Sequence, residues 1–394
     1  MIYVTTRQAI EEKQLSWLDI INGVDIPDLG TKGTAGTITK CYEEVPGKLK
    51  DKIYVNDMIE TLRKFNENHK SLFEKDRKSL YRHFNIPKKS GGLRPIDAPC
   101  EELQMALDEL RYIITERFGV LYHTSAFAYI KGRSTVQEVH KHQANASNWF
   151  LKTDFSGFFP STTLEFTMKM LEMIFPLSEI CKVEEGYKEL EKAISLGFLN
   201  GGLPQGTKLS PALTSIICIP MDHKIFNDLA HRRFVYTRYA DDIHISCIQK
   251  FDKDKMVKYI ESVLKEFGAP WKIKPEKTLF GTNKASSSNW ILGLNLNKDN
   301  NITVGYRNKA TFKSMTNHLI VDYINNKRWP VEDVQHYAGL LSYYKMVEKE
   351  YFETMLRRYK EKYNISVAKI LKDWNSSNPV SSYRPVDMDD LPFI

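Results

Sequence analysis

The stretch Phe234-Val-Tyr-Thr-Arg-Tyr-Ala-Asp-Asp-Ile-His-Ile-Ser-Cys247 decides the fold. Its arms, Phe234–Arg238 and Ile243–Cys247, read as two strands, and Tyr239-Ala-Asp-Asp242 is the turn between them. In the second arm Ile243, Ile245 and Cys247 alternate with His244 and Ser246, the period of a half-buried strand. Two adjacent carboxylates at such a turn, Asp241 and Asp242, cannot share a small volume as anions without a cation between them. Hard divalent ions such as Mg²⁺ take oxygen ligands of this kind, usually one or two carboxylates plus substrate phosphates. The pattern points to metal-assisted phosphoryl or nucleotidyl transfer. A further isolated acid, Asp154, ends the strand-like run from Phe150. On its own it reads as a cap before a turn.

Composition narrows the class. A chain of 394 residues is long enough for two or three compact units with a full core. The net charge of +7 is a mild excess that favours a polyanionic partner without requiring one. The five cysteines are far apart, with no CxxC pair and no histidine spacing that would build a zinc site, which fits a reducing cytoplasm. Met1 to Ile10 lacks the basic head and apolar core of a signal peptide. The most apolar stretch, Pro211 to Pro220, is too short to span a bilayer, so no membrane partner is expected.

Outward from the central hairpin, the middle of the chain alternates strands and helices. Leu164, Met168, Leu171 and Phe175 mark one helical face, and Pro211 to Pro220 reads as a single buried helix after a glycine-rich turn. Residues 253–267 carry a stripe of Met256, Tyr259, Ile260, Val263, Leu264 and Phe267, which Gly268 terminates. Upstream, Tyr81–Ile86 and Leu93–Ile96 flank Lys88 to Gly92 as the tip of a hairpin, followed by helical spacing over 101–117. From about 307 onward the chain is strongly helical, with candidates at 307–325, 331–346 and 350–362. Asn378 to Ile394 reads as a peripheral tail.

Asp154-Phe-Ser-Gly-Phe-Phe-Pro160, Leu203-Pro-Gln-Gly-Thr-Lys-Leu-Ser-Pro211 and Tyr239-Ala-Asp-Asp242 occur in the order of motifs A, B and C of reverse transcriptases, which they resemble. Pro87-Lys-Lys-Ser-Gly-Gly-Leu-Arg-Pro-Ile-Asp-Ala-Pro99 is similar to the fingers motif of bacterial members. Ala126-Phe-Ala-Tyr-Ile-Lys-Gly-Arg-Ser134 resembles the segment between fingers and palm. The resemblance implies an α+β, right-hand polymerase fold, with a palm of antiparallel sheet plus helices. It divides the chain into an N-terminal extension (1–75), fingers (76–150), palm with motifs A to E (151–300), helical thumb (301–377) and C-terminal tail (378–394).

The implied roles follow residue by residue. Asp154, Phe155, Asp241 and Asp242 stand at the metal positions, where two Mg²⁺ ions would serve an in-line displacement. Asp242 is expected to orient the site more than to ligate. Phe159 matches the aromatic that packs under the sugar and excludes a 2′-hydroxyl, which implies deoxynucleotides; Phe155 and Phe158 read equally well as core. Gln205 and Gly206 lie in the turn that meets the incoming nucleotide, where glycine allows close backbone approach. Lys88 and Arg94 would meet the triphosphate, Arg94 through its planar fork, although Lys88 beside Lys89 reads equally as a solvated pair. Lys277, in Pro275-Glu-Lys-Thr278, resembles the lysine that protonates the leaving pyrophosphate, and a surface lysine is nearly as good a reading. Trp290-Ile-Leu-Gly-Leu-Asn295 resembles the primer-grip hairpin.

No acidic run in an RNase H arrangement and no HNH-like Cys/His cluster is present in the sequence, which disfavours a mobile-element enzyme. The chain is similar to the compact bacterial group, retron enzymes and the related defence-associated reverse transcriptases. Thr135-Val-Gln-Glu-Val-His140 and Ile291-Leu-Gly293 depart from the retron pattern and favour the defence-associated groups. Either group implies a dedicated noncoding RNA template, a nucleic-acid primer, dNTPs and a role in phage resistance. A homo-oligomer or a partner defence protein stays open. Two alternatives stand beside this reading: a weakly templated or untemplated DNA-synthesising polymerase, and a non-catalytic RNA-binding scaffold.

Overall fold

The computed structural model describes residues 2–4, 40–42, 55–87, 91–283 and 290–376. The chain falls into two compact units. One combines Met1–Ser134 with Trp149–Phe280, and the other combines Thr135–Asn148 with Gly281–Ile394. Most of the N-terminal extension, Lys88, Lys89 and the C-terminal tail lie outside the described residues.

The first unit is built on a five-stranded sheet. Phe234–Tyr239 pairs antiparallel with Asp242–Cys247, which pairs on its other side with Trp149–Ser156. Leu279–Thr282 lies at the opposite edge, and Lys272–Ile273 pairs with the end of Trp149–Ser156. Asp242–Cys247 is therefore a central strand. That position overturns the half-buried expectation, because His244 and Ser246 are buried as fully as Ile243 and Ile245. A central strand has ladder partners on both sides, and here both of its faces are covered.

Helices Ile219–Ala230 and Lys253–Phe267 contribute Ile225, Leu229, Ile260 and Val263 to the apolar core that also takes Tyr236, Ile243 and Ile245 from the sheet. Lys253–Phe267 has the expected stripe. Asp252 caps its first turn by accepting from the Asp254 and Lys255 amides, and Gly268 ends it at φ 70°. Pro211–Pro220 is not one helix. Leu209–Ile217 ends at Cys218 and a second helix starts at Ile219, with Pro220 in its first turn, where a missing N–H costs nothing. Phe175 leaves the helix Leu164–Leu171 and sits in a short strand, Ile174–Phe175. That strand pairs with Ile2–Val4, which pairs in turn with Lys40–Tyr42.

The hairpin Tyr81–Pro87 and Leu93–Pro99 forms with Ile86 opposite Arg94. The helix after it is regular over Glu101–Tyr112 and widens into a π-turn at Ile113–Arg117. In the second unit, Trp290–Ile291 and Leu294–Leu296 form a hairpin whose turn residues, Leu292 and Gly293, both have positive φ. Helices Tyr306–Ile324, Val331–Val347, Lys349–Tyr363 and Val367–Ser376 follow. Phe312 stacks on Tyr337 and meets Phe352 edge-on in their core. The fourth helix was not among the sequence candidates.

Candidate active site

Strand register brings the acids together. Asp154 lies directly opposite Asp242 across the ladder, and Tyr239 lies opposite Asp242 across the next one. Ala240 and Asp241 are thus a two-residue turn, with Ala240 in the left-handed region at φ 55°. The Phe155 amide donates to the Asp241 carbonyl at 3.1 Å, tying the turn to the neighbouring strand.

The three acids differ in surroundings. Asp154 is 4% exposed. Its Oδ2 accepts from Lys277 at 2.6 Å and from Lys274 at 3.2 Å, while its buried Oδ1 has no hydrogen-bond partner. Asp242 faces Lys152 at 3.2 Å. Burial, and then the Asp242 charge, push the Asp241 carboxyl up to about 6. The hydrogen bond to Asp154 leads in holding the Lys277 ammonium above its ordinary range. Lysine thus supplies part of the positive charge that the acids demand. Lys274 and Lys152 escaped the sequence reading, because a lone lysine in a strand or turn carries no sequence mark of its partner.

These residues fit a hard divalent cation. Among the described residues, no group of three or more Asp, Glu, His or Cys side chains converges closely enough to hold an ion. One or two carboxylates completed by substrate phosphates and water is, however, the ordinary way that Mg²⁺ is held. The unpartnered Asp154 Oδ1 and the raised Asp241 carboxyl mark where such a cation would be accommodated. Phe155 can contribute only main-chain atoms. Its ring is buried, stacked on Trp271 and Phe158.

Of the expected substrate residues, the structure describes Phe159, Gln205, Gly206 and Arg94. Phe159 is half-buried, edge-on to Phe158, and its carbonyl accepts from the Leu203 amide at 3.0 Å. Motif A and the turn of motif B are therefore in direct contact. Gly206 is needed for its own chain as much as for a ligand. Its φ is 135°, and a Cβ there would stand 2.7 Å from the Asp97 carbonyl oxygen. The Gln205 carbonyl accepts from the Asp97 amide at 2.7 Å, docking the turn on the hairpin Tyr81–Pro87/Leu93–Pro99. The buried Gln205 Oε1 has no hydrogen-bond partner. Arg94 projects from the exposed part of that hairpin. Lys88 lies outside the described residues.

Tyr129, exposed and passed over by sequence reasoning, is a candidate neighbour of these acids. It has φ 59°, unusual for a non-glycine residue and a mark of functional positions. Burial raises its hydroxyl to about 12, with Asp241 raising it further and Arg94 opposing.

Residues 86–307 match the family model of the reverse transcriptase (RNA-dependent DNA polymerase), more than half of the chain. The chain belongs to that family, and it is an RNA-directed DNA polymerase with the right-hand fold. It is 26% identical over 282 residues to the retron Ec73 reverse transcriptase of Escherichia coli, covering 70% of this chain and 86% of that protein. It is 23% identical over 312 residues to the retron Ec83 reverse transcriptase of Escherichia coli, covering 77% of this chain and 95% of that protein. Both relatives are retron enzymes, against the preference for the other defence-associated groups drawn from Thr135–His140 and Ile291–Gly293. Among solved structures the chain is similar to telomerase from Candida albicans, at 14% identity and a TM-score of 0.41, over 75% of this chain and 59% of that one. Reverse transcriptases use divalent metal ions. Among the described residues, no helix is long and apolar enough to cross a membrane.

Proposed function

We propose that this protein copies a dedicated noncoding RNA into DNA, extending a nucleic-acid primer with dNTPs, in bacterial defence against phage. The observation that carries the reading is the register placing Asp154 opposite Asp242, with Asp241 at the adjoining turn. Asp154 and Asp241 would hold two Mg²⁺ ions, with Asp242 oriented by Lys152 and the main chain of Phe155 alongside. Bound there, such ions would supply activation of the primer hydroxyl and neutralisation of the triphosphate. The chain's own residues bind and orient. Arg94 and Lys88 take the phosphates from the fingers hairpin, and Gln205 and Gly206 face the nucleotide from the motif B turn. Phe159 excludes a 2′-hydroxyl by volume. Lys277 gives a proton to the leaving pyrophosphate, a role supported by its charge and its contact with Asp154. The described cysteines, Cys100, Cys181, Cys218 and Cys247, are all free thiols, in keeping with a cytoplasmic enzyme.

The test is to sequence the nucleic acid that copurifies with the protein and to assay incorporation of dNTPs and NTPs on it with Mg²⁺. Templated DNA is the expected product. A product independent of the copurified RNA would instead select the untemplated polymerase, and an absence of any product would select the scaffold.

A further inference from the structure

Just behind the acidic turn, Arg238 and Asp222 form a fully buried ion pair, each 1% exposed. Arg238 Nε donates to Asp222 Oδ1 at 2.9 Å, and Nη2 donates to Oδ2 at 2.7 Å. The Tyr236 hydroxyl adds a third donor, to Oδ1 at 2.6 Å. Strand period explains the convergence, since residues 236 and 238 point to one face of Phe234–Tyr239, toward the helix Ile219–Ala230 that carries Asp222. This leaves one arm of the guanidinium. Nη1 donates to the Ala240 carbonyl at 3.0 Å.

We infer that the Arg238–Asp222 pair is a positioning device for the metal-binding turn, a role that rests on the polymerase reading above. Ala240 is held at φ 55°, where an L-residue is strained, and nothing in its own side chain favours that conformation. Its carbonyl is fixed by Arg238, and the next carbonyl, that of Asp241, is fixed by the Phe155 amide. The peptide units on both sides of the Asp241 α-carbon are therefore clamped, and with them the direction of its carboxylate. Arg238 is itself anchored through its main chain, donating to the Ser125 carbonyl at 2.7 Å and accepting from the Phe127 amide at 2.9 Å. A buried ion pair is weak evidence for stability, because desolvation offsets much of the attraction. Its geometry is what an apolar replacement could not reproduce. Only a planar fork can grip a carboxylate with two nitrogens and reach a carbonyl with the third. Lysine, a compact point charge, can pair with Asp222 or reach Ala240 but not both.

Arg238→Lys and Asp222→Asn test this. Two readouts apply: Mn²⁺ binding to the nucleotide-free protein, followed by the electron paramagnetic resonance signal of free Mn²⁺, and the Mg²⁺ concentration for half-maximal primer extension. Both variants are expected to weaken Mn²⁺ binding and to raise the Mg²⁺ requirement by about tenfold, with a smaller change in the dNTP KM. Leu229→Ala, in the same helix and the same core, is the control. It lowers the melting temperature without moving the metal requirement. An unchanged metal requirement in the folded variants overturns the inference and leaves the polymerase reading intact, and so does an equal rise in Leu229→Ala. Should Arg238→Lys fail to fold, Asp222→Asn carries the same comparison. An Asp241→Asn protein that still incorporates dNTPs overturns both readings.

Discussion

One buried carboxylate, Asp222, is linked through Arg238 to the turn that carries Asp241, and it is treated in the opposite way from the acids of that turn and of Asp154. Asp222 is buried and complete, with three donors on its two oxygens and a counter-charge in the same plane. Asp154, Asp241 and Asp242 are incomplete. Asp154 keeps a bare buried oxygen, and the Asp241 carboxyl is pushed up to about 6 by burial and its acidic neighbour. The first arrangement is a finished piece of interior; in the second, lysines meet Asp154 and Asp242 from one side only, and a buried carboxylate oxygen is left bare. The contrast teaches that burial alone does not mark a functional acid. What marks it is burial without a full set of partners.

The largest test of this contrast is Asp154→Asn. Loss of the charge from the incomplete group should lower dNTP incorporation by on the order of 10³-fold while the protein stays folded, as measured by single-turnover extension and circular dichroism. Retained incorporation would place Asp154 with the structural acids. Next comes Phe159→Ala, which should lower discrimination between dNTPs and NTPs by about 10²-fold in competing kcat/KM values. An unchanged ratio would reduce Phe159 to packing, like Phe158. Gly206→Ala probes the motif B turn from the structural side. With 2.7 Å from its Cβ to the Asp97 oxygen and φ at 135°, it should cost about 2 kcal/mol in denaturant unfolding. A neutral result would mean that the turn does not dock on the hairpin Tyr81–Pro87/Leu93–Pro99 as described. Smallest is Lys277→Ala, expected to lower kcat about tenfold with KM for dNTP little changed, the signature of a group acting in the transition state. An effect confined to KM would make Lys277 a charge partner of Asp154 and nothing more.

Much of this was legible locally. The helix Lys253–Phe267 announces itself through its stripe, an aspartate cap and a glycine stop, all of which act over one or two turns. The hairpin around Ala240 and Asp241 is equally local. What joins Asp154 to Asp242 is a ladder between distant segments, and only the order of the motifs hinted at it. His244 and Ser246 misled because alternation reports one covered face and cannot foresee a second. Pro211–Pro220 misled because a run of apolar residues does not show that the chain turns at Cys218. Arg238 and Asp222 passed unnoticed because each alone reads as a surface charge. The available signal was an arginine two residues after a tyrosine in a strand with no other charge, beside the acidic turn.

The most direct measurement of the central claim is Mn²⁺ binding by the wild-type protein and by Asp241→Asn, read from the free-ion electron paramagnetic resonance signal in the presence of dNTP and a primed RNA template. The incomplete acids predict protein-dependent Mn²⁺ uptake that Asp241→Asn loses along with incorporation. Equal uptake by the two proteins would show that Asp241 does not hold the ion and would remove the metal site from this turn.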